Sequence, residues 1–218
     1  MYVVILGAPG AGKGTQADIL SQKIRVPHIA SGDLFRRALE ERTELGLLAK
    51  GYMEKGELVP DEVVTKMILE RLSQPDCASG CVFDGFPRTL PQARALDEAL
   101  VSQAKNIDRA IYIEVPNEEL VRRLSGRWLC RKCQTPYHVT ESRPEVPGRC
   151  DKCGGELYQR PDDNNETVKE RIKVFLAQTI PILDYYEEQA KLTRVNGNLG
   201  VEVVAKEMMS ALGTPMSR

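Results

Sequence analysis

The chain lacks an excess of charge of either sign. Thirty Lys and Arg stand against 31 Asp and Glu, leaving a formal charge of −1 and no global pull toward nucleic acid or an anionic membrane. Any anion site must therefore be local. Long apolar runs are also missing: no stretch could span a bilayer, and Met1 to Leu6 enters an apolar segment without a basic leader or a small-residue cleavage site. The expected address is the cytoplasm, with no membrane and no nucleic acid among the partners and a monomer as the default. Internal repeats and low-complexity tracts are absent, which excludes a solenoid. Aromatic residues make up only 6% and Trp128 is the sole tryptophan, so no interleaved platform for stacking bases is present. What remains, 42% hydrophobic and 28% charged residues, is the balance of a soluble globular protein. A length of 218 residues admits one core with small inserted lobes or two small domains, so patterning must choose.

Tyr2 to Leu6 is a short unbroken apolar run, suited to a strand buried on both faces of a parallel sheet. A glycine-rich turn follows, and from Lys13 to about Arg25 the apolar residues Ala17, Ile19, Leu20 and Ile24 recur with helical spacing. Further strands are expected at Val26 to Ala30, Gly80 to Phe83, Arg109 to Val115 and Leu192 to Asn196. Helices are expected over Leu34 to Glu41, Asp61 to Leu72, Pro91 to Val101, Asn117 to Leu124, Asn164 to Ala190 and Gly200 to Leu212. Alternation of strand and helix predicts an α/β fold with a five-stranded parallel sheet. Two stretches break the alternation. Ser31 to Val59 has helical pieces but no strand, and Gly126 to Arg160 is rich in Cys, Pro, Gly and Arg with only short polar and apolar runs. Both read as lobes inserted into the core.

Between the first strand and first helix lies Gly7-Ala8-Pro9-Gly10-Ala11-Gly12-Lys13-Gly14-Thr15, the context in which a phosphate-loop pattern carries weight. Its glycines let the backbone curl so that successive N–H groups converge on phosphate oxygens, the helix N-terminus adds a favourable field, and Lys13 adds a point charge. The segment Gly10 to Thr15 is thus the expected polyphosphate site. Gly14 stands where a Ser or Thr usually follows the lysine, and the hydroxyl comes one residue later at Thr15, which argues against direct magnesium ligation by that hydroxyl. Asp84, at the end of the strand Cys81-Val82-Phe83, stands where phosphoryl-transfer sites put a carboxylate for magnesium or its waters; a turn-forming aspartate before Gly85 is the plainer alternative.

Six cysteines without a secretory signal favour thiols or metal sites over disulfides. Cys130-x2-Cys133 and Cys150-x2-Cys153 are two tight pairs with the spacing of two knuckles on one tetrahedral ion. A lobe this short cannot bury a real core, so four thiolates around one ion would hold it folded, and a filled tetrahedron makes that ion structural rather than catalytic. Zinc is the expected metal, and iron fits the same sulfur geometry. Cys77 and Cys81 read as ordinary thiols.

The run GAPGAGKGTQ, then Ser31-Gly32-Asp33-Leu34-Phe35-Arg36, then Asp84-Gly85-Phe86-Pro87-Arg88-Thr89 with Gln92, then Arg160-Pro161-Asp162-Asp163, closely resembles the adenylate kinases over essentially the whole chain. The resemblance implies a P-loop three-layer core at 1–29, 60–125 and 162–218. It also implies two mobile lobes, an AMP-binding one at 30–59 and a zinc-bearing lid at 126–161. It implies an AMP set of Ser31, Arg36, Glu57, Val59, Gly85, Arg88, Gln92, Arg160 and Arg171, with Gln92 reading adenine and the arginines holding phosphate. On the ATP side it implies Gly10 to Thr15, namely Gly10, Ala11, Gly12, Lys13, Gly14 and Thr15, with Arg127, Tyr137 and Leu199. The catalytic set it implies is Lys13, Asp84, Arg88, Arg123, Arg127, Arg160, Asp162, Asp163 and Arg171. From the residues alone, Arg36 and its neighbour Arg37 are not distinguished, Gln92 is also readable as a surface residue, and Tyr137 with His138 as surface residues. Asp162 and Asp163, with Glu166 beyond them, also read as a helix N-cap, and the capping and lid-closing roles are compatible.

Phosphoryl transfer needs donor and acceptor held in line with positive charge around the moving group, and no general base is required when the acceptor is already an anion. The expected reaction is ATP + AMP to 2 ADP with Mg2+, under a lid that excludes water. One rival is a zinc-ribbon nucleic-acid module driven by an NTPase core. Its support is the seven basic and four acidic side chains of 126–160, a local charge of +3. The other rival keeps the fold and takes UMP, CMP or GMP as acceptor.

Overall fold

The structure, a computed structural model, describes residues 1–213. In chain order the first elements are β1 (Tyr2–Leu6), α1 (Lys13–Ile24), β2 (His28–Ala30), α2 (Ser31–Glu40), α3 (Glu44–Lys55) and α4 (Asp61–Leu72). Next come β3 (Cys81–Asp84), α5 (Leu90–Val101), β4 (Arg109–Glu114), α6 (Asn117–Ser125), β5 (Arg127–Cys130), β6 (Pro136–His138) and β7 (Leu157–Tyr158). The chain continues with α7 (Asn165–Val174), α8 (Pro181–Glu188), β8 (Leu192–Asn196) and α9 (Val201–Ala211).

The five expected strands form one parallel sheet in the order β2-β3-β1-β4-β8. All five residues of β1 are buried, because it lies between β3 and β4 and is covered on both faces. The two-residue period of the strand splits its side chains. Val4 and Leu6 join Phe83, Phe86, Ile68 of α4, Leu96 of α5 and Tyr186 of α8, whereas Val3 and Ile5 join Leu20 of α1, Leu120 of α6, Val168 of α7 and Met208 of α9. Helix, sheet and helix make three layers, and the carboxyl ends of β1 and β3 open together onto one crevice.

Four expectations are corrected. The second strand begins at His28 rather than Val26. Pro27 has no N–H for a ladder, although its carbonyl accepts from Val82 at 2.9 Å. The helix expected over Asn164 to Ala190 is broken: α7 ends at Val174, Phe175–Thr179 forms a π turn, and α8 starts at Pro181. The ring of Pro181 would collide with the carbonyl four residues back, so the backbone widens and Ile180 N–H reaches Phe175 O, 3.1 Å away. The N-cap of α7 is Asn164, whose side chain accepts from Thr167 N–H, and not Asp162 or Asp163. Finally, 126–160 is not irregular throughout: β6-β5-β7 make a small antiparallel sheet.

Candidate active site

The loop after β1 curls tightly because Gly10 and Gly12 take positive φ, +87° and +89°. At Gly10 a Cβ would lie 2.9 Å from Leu124 Cγ and 3.0 Å from Leu120 O, so only glycine lets the loop rest on α6. Lys13 opens α1 and turns back, donating to Gly7 O at 2.8 Å and Ala8 O at 2.9 Å. Burial, with Arg88, Arg171 and Arg127 near by, lowers its pKa to about 8 against the opposing pull of Asp84.

Asp84, at the C-terminal end of β3, lies directly beside the loop: a Cβ on Gly14 would be 3.4 Å from its Oδ2. Burial alone would raise its pKa, but the facing His28 imidazole and the charge of Lys13 outweigh burial and keep it below the usual value. His28 Nδ1 meets Asp18 Oδ1 at 2.7 Å and its Nε2 faces Asp84 Oδ2 at 3.5 Å. Burial opposes protonation of this imidazole, yet the two carboxylates prevail and bring its pKa up to about 9. Asp84 is thus a half-buried carboxylate beside the phosphate loop, and a carboxylate is the type of donor that a hard cation takes directly or through water.

Two pockets flank this point. One is lined by Gly7, Pro9, Lys13, Gly85, Arg88 and Arg171 among others. The second is lined by Ser31, Arg36, Glu57, Val59, Gly85, Arg88, Gln92 and Arg171, eight of the nine residues expected on the acceptor side. Gly85, Arg88 and Arg171 belong to both, so the pockets share a wall carrying two guanidinium groups. Arg88 is steered by its own loop, Nε donating to Gly85 O at 2.7 Å, and Thr179 Oγ1 donates to its carbonyl at 2.9 Å. Burial, and then Arg171, lowers the Arg88 pKa to about 10, which still leaves it charged at neutral pH. Gln92 is not a surface residue. It is 1% exposed, with Oε1 accepting from Arg88 N–H at 2.8 Å and Nε2 donating to Asp61 Oδ1 at 2.7 Å.

Carboxylates occupy the other arginines. Arg127 makes a bidentate pair with the buried Asp163, at 2.8 Å and 2.5 Å, and Arg171 Nη1 meets Asp162 Oδ2 at 2.8 Å and Asp163 Oδ1 at 3.2 Å. Arg36 pairs with Asp33, whose Oδ1 also lies 3.7 Å from Arg160 Nη2. Burial and the neighbouring Arg36 and Arg127 lower the Arg160 pKa to about 10. Arg123 is held by Glu119 on its own helix at 2.6 Å and lines neither pocket. Leu199 is 40% exposed between β8 and α9 and also lines neither.

The sequence reading missed Asp33, His28, Asp61 and Thr179. Only Asp33 left a signal, its i, i+3 spacing from Arg36 on a helix.

At the far end of 126–160, Cys130, Cys133, Cys150 and Cys153 place their sulfurs within 4.8 Å of one another. A tetrahedral zinc with Zn–S bonds of about 2.3 Å needs sulfurs about 3.8 Å apart, so the cluster fits the ion. The sulfurs of the two pairs approach one another to 3.3–3.5 Å, wider than the roughly 2.05 Å of a disulfide bond. A Cβ on Gly155 would lie 2.8 Å from Cys130 Sγ, so the chain keeps that side of the cluster clear. Tyr137, expected on the ATP side, is 8% exposed and turned into the lobe, with its hydroxyl donating to Cys150 Sγ at 3.3 Å and accepting from Asp151 N–H at 2.8 Å. Its side chain has no free polar group for a nucleotide.

A phosphate loop on a parallel sheet, a carboxylate beside it and two arginine-walled pockets meeting at one point define a P-loop phosphotransferase. The family model described as adenylate kinase matches residues 5–191. An adenylate kinase of Dehalococcoides mccartyi is 52% identical over 97% of this chain and 98% of its own length. That of Carboxydothermus hydrogenoformans is 52% identical over 97% and 99%, and that of Acetivibrio thermocellus 50% over 97% and 98%. The chain belongs to the adenylate kinase family.

Proposed function

We propose that the chain catalyses reversible, magnesium-dependent transfer of the terminal phosphoryl group of ATP to AMP, giving two ADP. The observation that carries this reading is the wall shared by two pockets, since donor and acceptor phosphates placed on either side of Arg88 and Arg171 approach end to end. The amides of Gly10 to Thr15 and Lys13 hold the ATP phosphates. Ser31, Arg36, Glu57, Val59, Gly85 and Gln92 enclose AMP. Arg123, Arg127, Arg160 and Arg171 complete the positive cage on closure of the lid, with Asp162 and Asp163 releasing Arg171 and Arg127 to phosphate oxygens. Leu199 bounds the ATP base.

Asp84 would hold the waters of Mg2+, which neutralises charge on the ATP phosphates when bound. The four cysteines would hold one structural Zn2+ in the lid at 126–161, while 30–59 closes over AMP. No helix among the described residues is long and apolar enough to cross a membrane, and a cytoplasmic monomer is the working assignment.

A coupled assay of ADP formation with AMP, UMP, CMP and GMP as acceptors tests the reading. We expect kcat/KM for AMP to exceed the others by at least about 100-fold, the discrimination expected of a site that hydrogen-bonds its substrate base. Absence of ADP from equimolar ATP and AMP with magnesium would refute it.

A further inference from the structure

The four sulfurs of the lid cluster are not equivalent, and the difference singles out one of them. Four thiolates overcompensate the two charges of a bound zinc, so excess negative charge remains on sulfur, and each hydrogen bond donated to a sulfur lowers its nucleophilicity. Cys150 is 2% exposed and takes the Tyr137 hydroxyl at 3.3 Å. Cys133 is half-buried, but Thr135 Oγ1 lies 3.1 Å from its sulfur and donates once the thiol proton is gone. Cys130 has no such hydroxyl and is fully buried. Cys153 alone is half-buried with no hydroxyl on its sulfur, its donor being the backbone N–H of Gly155, and a Cβ on that glycine would sit 3.3 Å from Cys153 Sγ.

We infer that Cys153 is a modification site, the entry point of soft electrophiles into the zinc cluster, with Thr135 and Tyr137 as positioning residues that shield Cys133 and Cys150. With a maleimide, the Cys153 thiolate forms an S–C bond as the alkene π bond breaks, and water protonates the adjacent carbon. The resulting thioether is neutral and a poor zinc ligand, so the ion leaves and the lid loses its fastening. The cluster thereby couples electrophile exposure to loss of lid order.

The inference rests on the zinc reading proposed above, and metal analysis of the purified full chain separates the two: a protein without bound metal overturns both. On zinc-loaded protein, limiting N-ethylmaleimide followed by quenching and peptide mapping should place the first adduct on Cys153, about tenfold ahead of any other lid cysteine. A chromogenic chelator should register one zinc released per first adduct. The buried Cys77 and Cys81 should stay unlabelled, which reports that the sheet remains folded. Thr135→Val should raise labelling of Cys133 about tenfold, and Tyr137→Phe, which keeps the ring, should raise that of Cys150. A first adduct on Cys130, Cys133 or Cys150, or equal rates at all four, overturns the inference. So does an unchanged Cys133 rate in Thr135→Val.

Discussion

The central sheet and the lid reach order by opposite means. Around β1 the sheet buries two large apolar clusters, one on each face, and its strands need nothing beyond that packing. The apolar cluster of the lid holds four buried residues, Cys130, Tyr137, Cys150 and Leu157, and two of those are cysteines of the four-sulfur group. Apolar burial scales with the amount of chain that can be layered, so a short inserted hairpin and loop supplies little of it, and a gathered four-sulfur group suited to one ion stands in its place. The difference teaches that a short lobe with little to bury can be fastened at a point, by four gathered sulfurs, where the sheet is held by area.

Removing the metal should give the largest separation between the two regions. Structural zinc in small domains contributes about 10–16 kcal/mol at neutral pH, so a chelator should unfold the lid while the sheet survives. Limited proteolysis should then cut first within 126–160 with the main calorimetric transition retained; simultaneous loss of both would mean that the sheet depends on the lid. Phe83→Ala, at a fully buried side chain of β3, should do the converse. It should cost about 3–5 kcal/mol and lower the Tm by roughly 6–20 °C, without changing zinc content. Arg88→Ala attacks neither form of order. It should leave the Tm and zinc content alone and lower kcat by about 100- to 1000-fold, and near-normal turnover would remove Arg88 from the transfer point.

The smallest effect is expected of His28→Gln, and it is read through pH. The folded-state pKa of His28 is raised, so its stabilising contribution is complete below its ordinary value of 6.5 and is lost as pH rises through about 9. The Tm difference between wild type and variant should therefore be largest near pH 6, equivalent to about 1.5 kcal/mol, and vanish above the raised pKa. A difference that grew with pH would contradict the ion pairs with Asp18 and Asp84.

The sheet was legible because burial on both faces writes itself as unbroken apolar runs, as in Tyr2 to Leu6, and Leu192–Asn196 falls at its expected bounds. The phosphate loop and the two cysteine pairs were legible because their spacing is short and the chemistry admits few residue types. What lay hidden was the choice of partner. Asn164 rather than Asp163 caps α7 because Asp163 is taken by Arg127, 36 residues away, and no local pattern announces that competition. Tyr137 looked outward in sequence and faces Cys150 in space for the same reason. The strands β5 to β7 are two to four residues long, below the length at which alternation is readable.

The π turn at Phe175–Thr179 amounts to one residue more than a regular helix would need to join Val174 to Pro181. Deleting a single residue there would close the wide turn into a regular helix while the flanking helices keep their register, since the extra residue is what that turn absorbs. Thr179, whose hydroxyl now holds the Arg88 carbonyl, belongs to the wide turn and would lose its present position. A length change of one in this segment would thus spare helix content and remove the hydroxyl that steadies the Arg88 loop, so the count of residues as well as their identity is what the segment has to preserve.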